Sequence, residues 1–304
     1  METFQVQYDR YRAAVEEALQ SLFLRNMPYG RLQEAMRYSL LAGGKRVRPV
    51  LTLAFCEALG GEARQALPLG AALECVHTYS LIHDDLPCMD DDDLRRGRPT
   101  CHKVYGETMA VLAGDALQAE AFRLISHAPG LSTEQRSEAV HTLASACGGD
   151  GMVAGQVLDM DGLAHDEASL RDLCLRKTGA LLAAGADLGC IAARASPEVR
   201  RQAAEYARHI GLAFQIRDDM LDVIADQDEF GKPVGSDREE GKRTFVDLLG
   251  LERCGELVAE ETRLAKEAVA GFEDRTFLLE LADSDQPIVV EICEMIKAAI
   301  AKYC

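Results

Sequence analysis

Apolar residues recur at helical spacing along most of this chain, and that pattern leaves little room for a sheet. Steps of three and four residues fill roughly 5–24, 31–42, 49–60, 102–127, 133–147, 169–193, 198–225, 246–271 and 288–302. The same spacing runs through Leu69, Leu73, Val76 and Ser80 to Asp84. Runs of alternating Val, Ile and Thr are missing, and only 9 prolines interrupt the chain. Lys177 to Ala193 is apolar almost all round, as expected of a helix surrounded by others. The loop signals at Gly60-Gly61, Asp90 to Thr100, Gly148-Gly149 and Phe230 to Thr244 are too short for domain linkers. The expectation is a single all-α domain over residues 1–304, a helical bundle.

The formal charge of −17 argues against nucleic acid as the main partner, because a phosphate backbone attracts basic proteins. It leaves phosphorylated small molecules open, since metal ions can reverse the local sign. The ten cysteines form no C-x-x-C pair and read as small buried hydrophobes. Residues 1–10 lack the basic and apolar regions of a signal peptide, and no apolar stretch approaches a membrane span. These features point to a soluble, cytoplasmic protein with reduced thiols.

Asp84 to Asp93 holds six carboxylates in ten residues at the end of an apolar helix. Pro87 should end that helix near Asp85 and let Asp90 to Asp93 fold back toward Asp84. Crowded carboxylates cost free energy without a cation, and an all-oxygen ligand set suits Mg²⁺. A solvated acidic loop would read the same in isolation, but Arg95, Arg96 and Arg98 follow at once. Carboxylates beside arginines suit metal and phosphate bound together.

A second cluster, Asp218, Asp219 and Asp222, lies on one face of a helical pattern with no proline. Like charges at these spacings cost about 0.2–0.5 kcal/mol per pair unless compensated. Basic partners lie elsewhere. Gly43 to Pro49 places Lys45, Arg46 and Arg48 at a helix start, a good anion site. Lys177 and Thr178 sit amid apolar residues, so a bound anion is expected at Lys177. Lys232 and Lys242 lie on the Gly-rich loop after the second cluster, and His77 is two turns below Asp84.

Taken with Tyr79 to Asp85, Gly155 to Asp159 and Lys177 to Gly179, these segments resemble the trans-prenyltransferase family, and in particular its bacterial-type farnesyl diphosphate synthases. The resemblance runs from about residue 30 to 250. It implies an isoprenoid-synthase fold, helices around a deep central cavity, and a homodimer. It implies condensation of isopentenyl diphosphate with dimethylallyl or geranyl diphosphate to give farnesyl diphosphate, with three Mg²⁺ ions per site and Mn²⁺ able to substitute. By resemblance Asp84, Asp90 and Asp218 are metal ligands, while Asp85, Asp219 and Asp222 hold metal-bound water. Lys45, Arg48, His77 and Arg96 hold isopentenyl diphosphate, and Arg95 contacts the allylic diphosphate. Lys177, Thr178, Gln215 and Lys232 steady the departing diphosphate and the carbocation.

Tyr79, five residues before Asp84, sits roughly 7–8 Å deeper along a helix. By resemblance it is the floor that stops elongation at fifteen carbons. The rival readings are a geranylgeranyl diphosphate synthase, a class I terpene cyclase and a non-catalytic partner subunit. Lys45, Arg48 and Arg96 argue against the cyclase, and the intact aspartates argue against the subunit. The tail 282–304 departs from the basic tails common in the family, so no closing role is assigned to it.

Overall fold

The computed structural model describes residues 2–23, 28–224 and 243–284. The protein has the all-α fold, with helices α1 (Phe4–Gln20), α2 (Gly30–Leu40), α3 (Val47–Ala58), α4 (Ala63–Asp84), α5 (Cys101–Tyr105), α6 (Glu107–Ser126), α7 (Thr133–Cys147), α8 (Met152–Met160), α9 (Glu167–Cys174), α10 (Ala180–Ala192) and α11 (Pro197–Ile224). Phe245–Leu249, Leu251–Ala268 and Thr276–Asp283 are also helical. The only strands among the described residues are β1 (Leu94–Arg95) and β2 (Arg98–Pro99), an antiparallel hairpin after the first carboxylate cluster. None of the described helices is long and apolar enough to cross a membrane.

The chain divides into two compact units, Met1–Ala144 with Ala184–Arg200, and Ser145–Ala183 with Arg201–Cys304. The first is built on α4. Every residue from Leu69 to Val76 is buried, so no face of that stretch looks to water, and α3 and α6 pack against the helix. One charged group lies in that stretch. Glu74, 2% exposed, takes a hydrogen bond from Arg46 Nη1 at 2.6 Å. The fully enclosed Arg46 also reaches Glu16 at 2.7 Å and donates to the Leu40 carbonyl. Arg46 adopts φ +56°, a left-handed backbone that turns its side chain inward at the start of α3. It is therefore a core ion pair rather than one of three cations at an anion site.

In the second unit α9 begins with a capping box. Asp166 accepts from the Ser169 amide, and the Ser169 hydroxyl accepts from the Asp166 amide. Leu170 and Leu173 of α9 pack on Leu212, Ile216 and Met220 of α11, and on Phe245 and Leu257. Between α9 and α10 the backbone widens into a π-helical turn, Leu175–Gly179, which carries Lys177 and Thr178. Such turns are uncommon and cluster at functional sites. A Cβ on Gly155 would fall 2.3 Å from the Lys177 nitrogen, so only glycine lets α8 touch this turn.

The differences from the sequence expectation are local. The expected helix 102–127 breaks at Gly106 (φ +88°), and 246–271 breaks at Gly250 (φ +77°). Helix α8 falls where only a short motif was read, and 288–302 lies outside the described residues.

Removing one partner of a buried ion pair strands the other charge and costs about 3–5 kcal/mol. Glu74→Ala should destabilise the protein by that amount in a urea denaturation series. A loss below about 1 kcal/mol would show that Arg46 finds water instead.

Candidate active site

In the first unit α4 ends at Asp84 with Asp85 as its cap, as a proline at 87 requires. The chain then turns back, and the Asp90 amide donates to the Asp84 carbonyl at 2.9 Å. That bond holds Asp84 and Asp90 on one turn. Asp85 differs: it is buried and accepts from Arg95 Nε at 2.9 Å, with a second bond from Arg95 Nη2. Burial pushes its carboxyl above the usual range, while Arg95 pulls it back. Arg95 also reaches Asp92 at 3.0 Å. Arg95 thus braces the turn from within.

The hairpin that follows aims Arg96. Its two turn residues, Arg96 (φ +55°) and Gly97 (φ +71°), both take the left-handed backbone that a two-residue hairpin loop demands. The guanidinium of Arg96 comes down on the Gly43-Gly44 turn and donates to the Gly43 carbonyl. A Cβ on Gly44 would lie 2.8 Å from Arg96 Cζ, so a side chain there would expel the guanidinium.

Arg48 Nη1 lies 3.4 Å from His77 Nε2, and Arg48 Nε is enclosed with no hydrogen-bond partner. Burial depresses the Arg48 pKa, and Arg96 depresses it further against the pull of Glu74. Burial also lowers Arg96, with Arg46 and Arg95 adding to the effect. His77 is held well below its usual pKa by burial and by Arg48, so it is neutral at pH 7. Neither Arg48 nor Arg96 has a carboxylate partner among the described residues. Two guanidiniums short of negative charge beside a neutral imidazole make a site for an anion. Lys45 is exposed nearby in sequence, and its carbonyl accepts from Tyr8. Tyr79 is buried within α4, its ring edge-on to His83 at 5.7 Å.

In the second unit Asp218 is partly exposed and takes a 3.0 Å bond from Arg217 Nη2. The Arg217 guanidinium stacks on Phe214, 4.3 Å from the ring centre. Asp219 faces inward. It accepts from Gln215 Nε2 at 3.1 Å and from the Phe245 amide at 2.8 Å. Thr178 Oγ1 meets Gln215 Oε1 at 3.5 Å, so the π turn connects to α11 through Gln215. Asp219 is thus occupied in joining α11 to the helix at Phe245. Lys177 has a partner within the chain, the Asp159 carboxylate of α8. Gly155, which lets α8 approach, and Asp159, which meets Lys177, belong to one motif. Lys232 and Lys242 lie outside the described residues.

The sequence reading missed Asp159 as the Lys177 partner, and only the coincidence of Gly155, Asp159 and Lys177 in one unit exposes it. The donor set fits a divalent cation: Asp84 and Asp90 share a closed turn, and every donor in both clusters is a carboxylate oxygen.

The polyprenyl synthetase family pattern matches residues 30–274. A chloroplastic geranylgeranyl pyrophosphate synthase of Capsicum annuum is 45% identical over 286 residues, 92% of this chain and 77% of that one. A heterodimeric geranylgeranyl pyrophosphate synthase large subunit of Arabidopsis thaliana is 49% identical over 251 residues, 80% and 68%. The crystal structure of an FPP/GFPP synthase from Zymomonas mobilis matches with a TM-score of 0.82 and 37% identity, covering 92% of this chain and 97% of that one. With two carboxylate clusters, a neutral imidazole beside guanidiniums that have no carboxylate partner among the described residues, and this likeness, the chain belongs to the polyprenyl synthetase family of trans-prenyltransferases.

Proposed function

We propose that this enzyme condenses isopentenyl diphosphate with an allylic diphosphate primer, and that its product is the twenty-carbon geranylgeranyl diphosphate. The observation that carries the first part is the pair Arg48, half-buried, and Arg96, exposed on the hairpin turn, guanidiniums with no carboxylate partner among the described residues. A diphosphate supplies the missing charge, and neutral His77 adds a hydrogen bond. The twenty-carbon length rests on relatives named as geranylgeranyl pyrophosphate synthases, which favour it over the fifteen-carbon product read from Tyr79. That fifteen-carbon reading keeps one supporting observation: Tyr79 is buried on the helix that ends at Asp84.

In this reading Asp84, Asp90 and Asp218 would be the carboxylates that hold Mg²⁺ ions, three in all, and Mn²⁺ could replace them. Bound Mg²⁺ supplies positive charge where the leaving diphosphate becomes more negative. Arg95, braced by Asp85, and Lys177, held by Asp159, add fixed charge for the same group. The allylic C–O bond breaks, and its electron pair leaves with the diphosphate. The double bond of isopentenyl diphosphate then attacks the allylic cation, forming the new C–C bond. The departed diphosphate takes the proton that restores a double bond. Thr178 and Gln215, linked to each other, would steady the developing positive charge. A homodimer is part of this reading, although two relatives are named as parts of heterodimers.

Asp84→Ala and Asp218→Ala should each lower kcat by several orders of magnitude in a labelled-product assay, with the far-UV spectrum unchanged. A loss under about tenfold, or about 1.4 kcal/mol of barrier, would remove those residues from the ligand set. Arg48→Ala should raise KM for isopentenyl diphosphate by about 10–100-fold, the value of a charged hydrogen bond, and leave KM for the primer near its starting value. Equal effects on both substrates would sink the division of the two diphosphate sites. Product length decides between twenty and fifteen carbons: the wild type should release mainly twenty-carbon product, and Tyr79→Ala should leave that length unchanged. Mainly fifteen-carbon product that lengthens in Tyr79→Ala would instead make Tyr79 the floor.

A further inference from the structure

The far end of the first carboxylate cluster carries a second set of donors, which the proposed reaction does not use. One ligand atom each from Asp91, Asp93 and His102 lies within 4.8 Å of the others. Among the described residues, no other trio of His, Cys, Asp and Glu converges in this way. Asp84 and Asp90 are not part of it.

Two exposed aspartates alone would be an ordinary acidic surface, and His102 is what distinguishes this one. It is 6% exposed, just inside α5, and its Nδ1 lies 3.1 Å from Thr100 Oγ1. The Thr100 hydroxyl has a single proton and donates it to the Asp92 carbonyl at 2.8 Å. The contact with His102 must then run the other way, from Nδ1–H to the hydroxyl oxygen. That fixes the tautomer and leaves Nε2 as a bare lone pair. Nε2 is enclosed and has no hydrogen-bond partner. A buried acceptor left unsatisfied is costly, and an imidazole whose far N–H is already engaged is the usual form of a metal ligand.

The backbone holds the donors in place. Asp91 takes a left-handed conformation (φ +53°), and its amide donates to the Leu86 carbonyl at 3.1 Å. The Thr100 amide donates to the Asp93 carbonyl at 3.0 Å, tying the far end of the loop to the start of α5. Lys103 Nζ sits 2.5 Å from Asp93 Oδ1, a resident cation where a metal ion would add charge.

We propose that Asp91, Asp93 and His102 form a binding site for a divalent transition-metal ion, separate from the Asp84–Asp90 turn. One imidazole and two carboxylates suit Zn²⁺ or Co²⁺, whereas Mg²⁺ favours oxygen alone. Three protein ligands leave a position for water. Binding displaces the Lys103 ammonium from Asp93.

The test is equilibrium dialysis of the full chain against Zn²⁺ at micromolar concentration, in millimolar Mg²⁺ to occupy the all-carboxylate clusters. One Zn²⁺ per chain should bind. His102→Asn should weaken it by at least about tenfold, and Asp93→Asn, on an exposed residue that the fold does not need, should weaken it too. Lys103→Met should tighten it several-fold, and Asp84→Asn should leave it unchanged. A structural role for His102 could lower stability but would not make Lys103→Met bind Zn²⁺ more tightly. The proposal is overturned if the wild type binds no Zn²⁺, if Asp93→Asn binds as well as wild type, if Lys103→Met is no tighter, or if Asp84→Asn abolishes binding.

Discussion

Four guanidiniums, those of Arg46, Arg48, Arg95 and Arg96, are gathered in one unit, and among the described residues buried carboxylates answer only two of them. Glu74 belongs to Arg46 and Asp85 belongs to Arg95. Arg48 and Arg96 remain short of negative charge, and both are depressed in pKa by burial. The imbalance is maintained by the fold: Glu74 sits on the most buried stretch of α4 and cannot turn toward Arg48 without abandoning Arg46. A bound anion would restore the balance, and the proposed diphosphate is one that could do so without a metal.

The carboxylate clusters follow a different logic. They concentrate negative charge where helices end or present one face, and each is braced by a neighbouring cation. Arg95 braces the Asp84–Asp92 turn, while Arg217 lies against Asp218. Not every aspartate is a ligand in waiting. Asp85 and Asp219 are buried and bonded within the protein, whereas Asp84, Asp90 and Asp218 keep more access to solvent. That division gives a physical reason for two duties within each motif: the inward carboxylate positions the turn or helix, and the outward one is available to a cation.

Much of this was legible in sequence because it is local. Helical spacing, the helix end before Pro87, and the two aspartate clusters follow from residues within a turn or two of each other. What was not legible depends on distant partners or on backbone detail. Arg46 reads as a third cation beside Lys45 and Arg48; its inward course depends on a left-handed φ and on Glu74, 28 residues away. Lys177 reads as a cation awaiting an anion, and its carboxylate partner Asp159 is on another helix. The π turn at Leu175–Gly179 has the same apolar spacing as an α-helix, so periodicity cannot distinguish the two. The two glycine breaks at 106 and 250 interrupt apolar patterns that continue on either side, so the pattern alone hides them.

The central claim is that one diphosphate is held by protein cations and the other through metal-bearing carboxylates. Calorimetric titration of isopentenyl diphosphate and of geranyl diphosphate into the full chain, with Mg²⁺ and then with excess chelator, tests it most directly. The account predicts that isopentenyl diphosphate binds with nearly the same affinity in both conditions, while geranyl diphosphate loses about 100-fold or more, roughly 2.7 kcal/mol. Loss of both ligands in chelator, or retention of both, would contradict it.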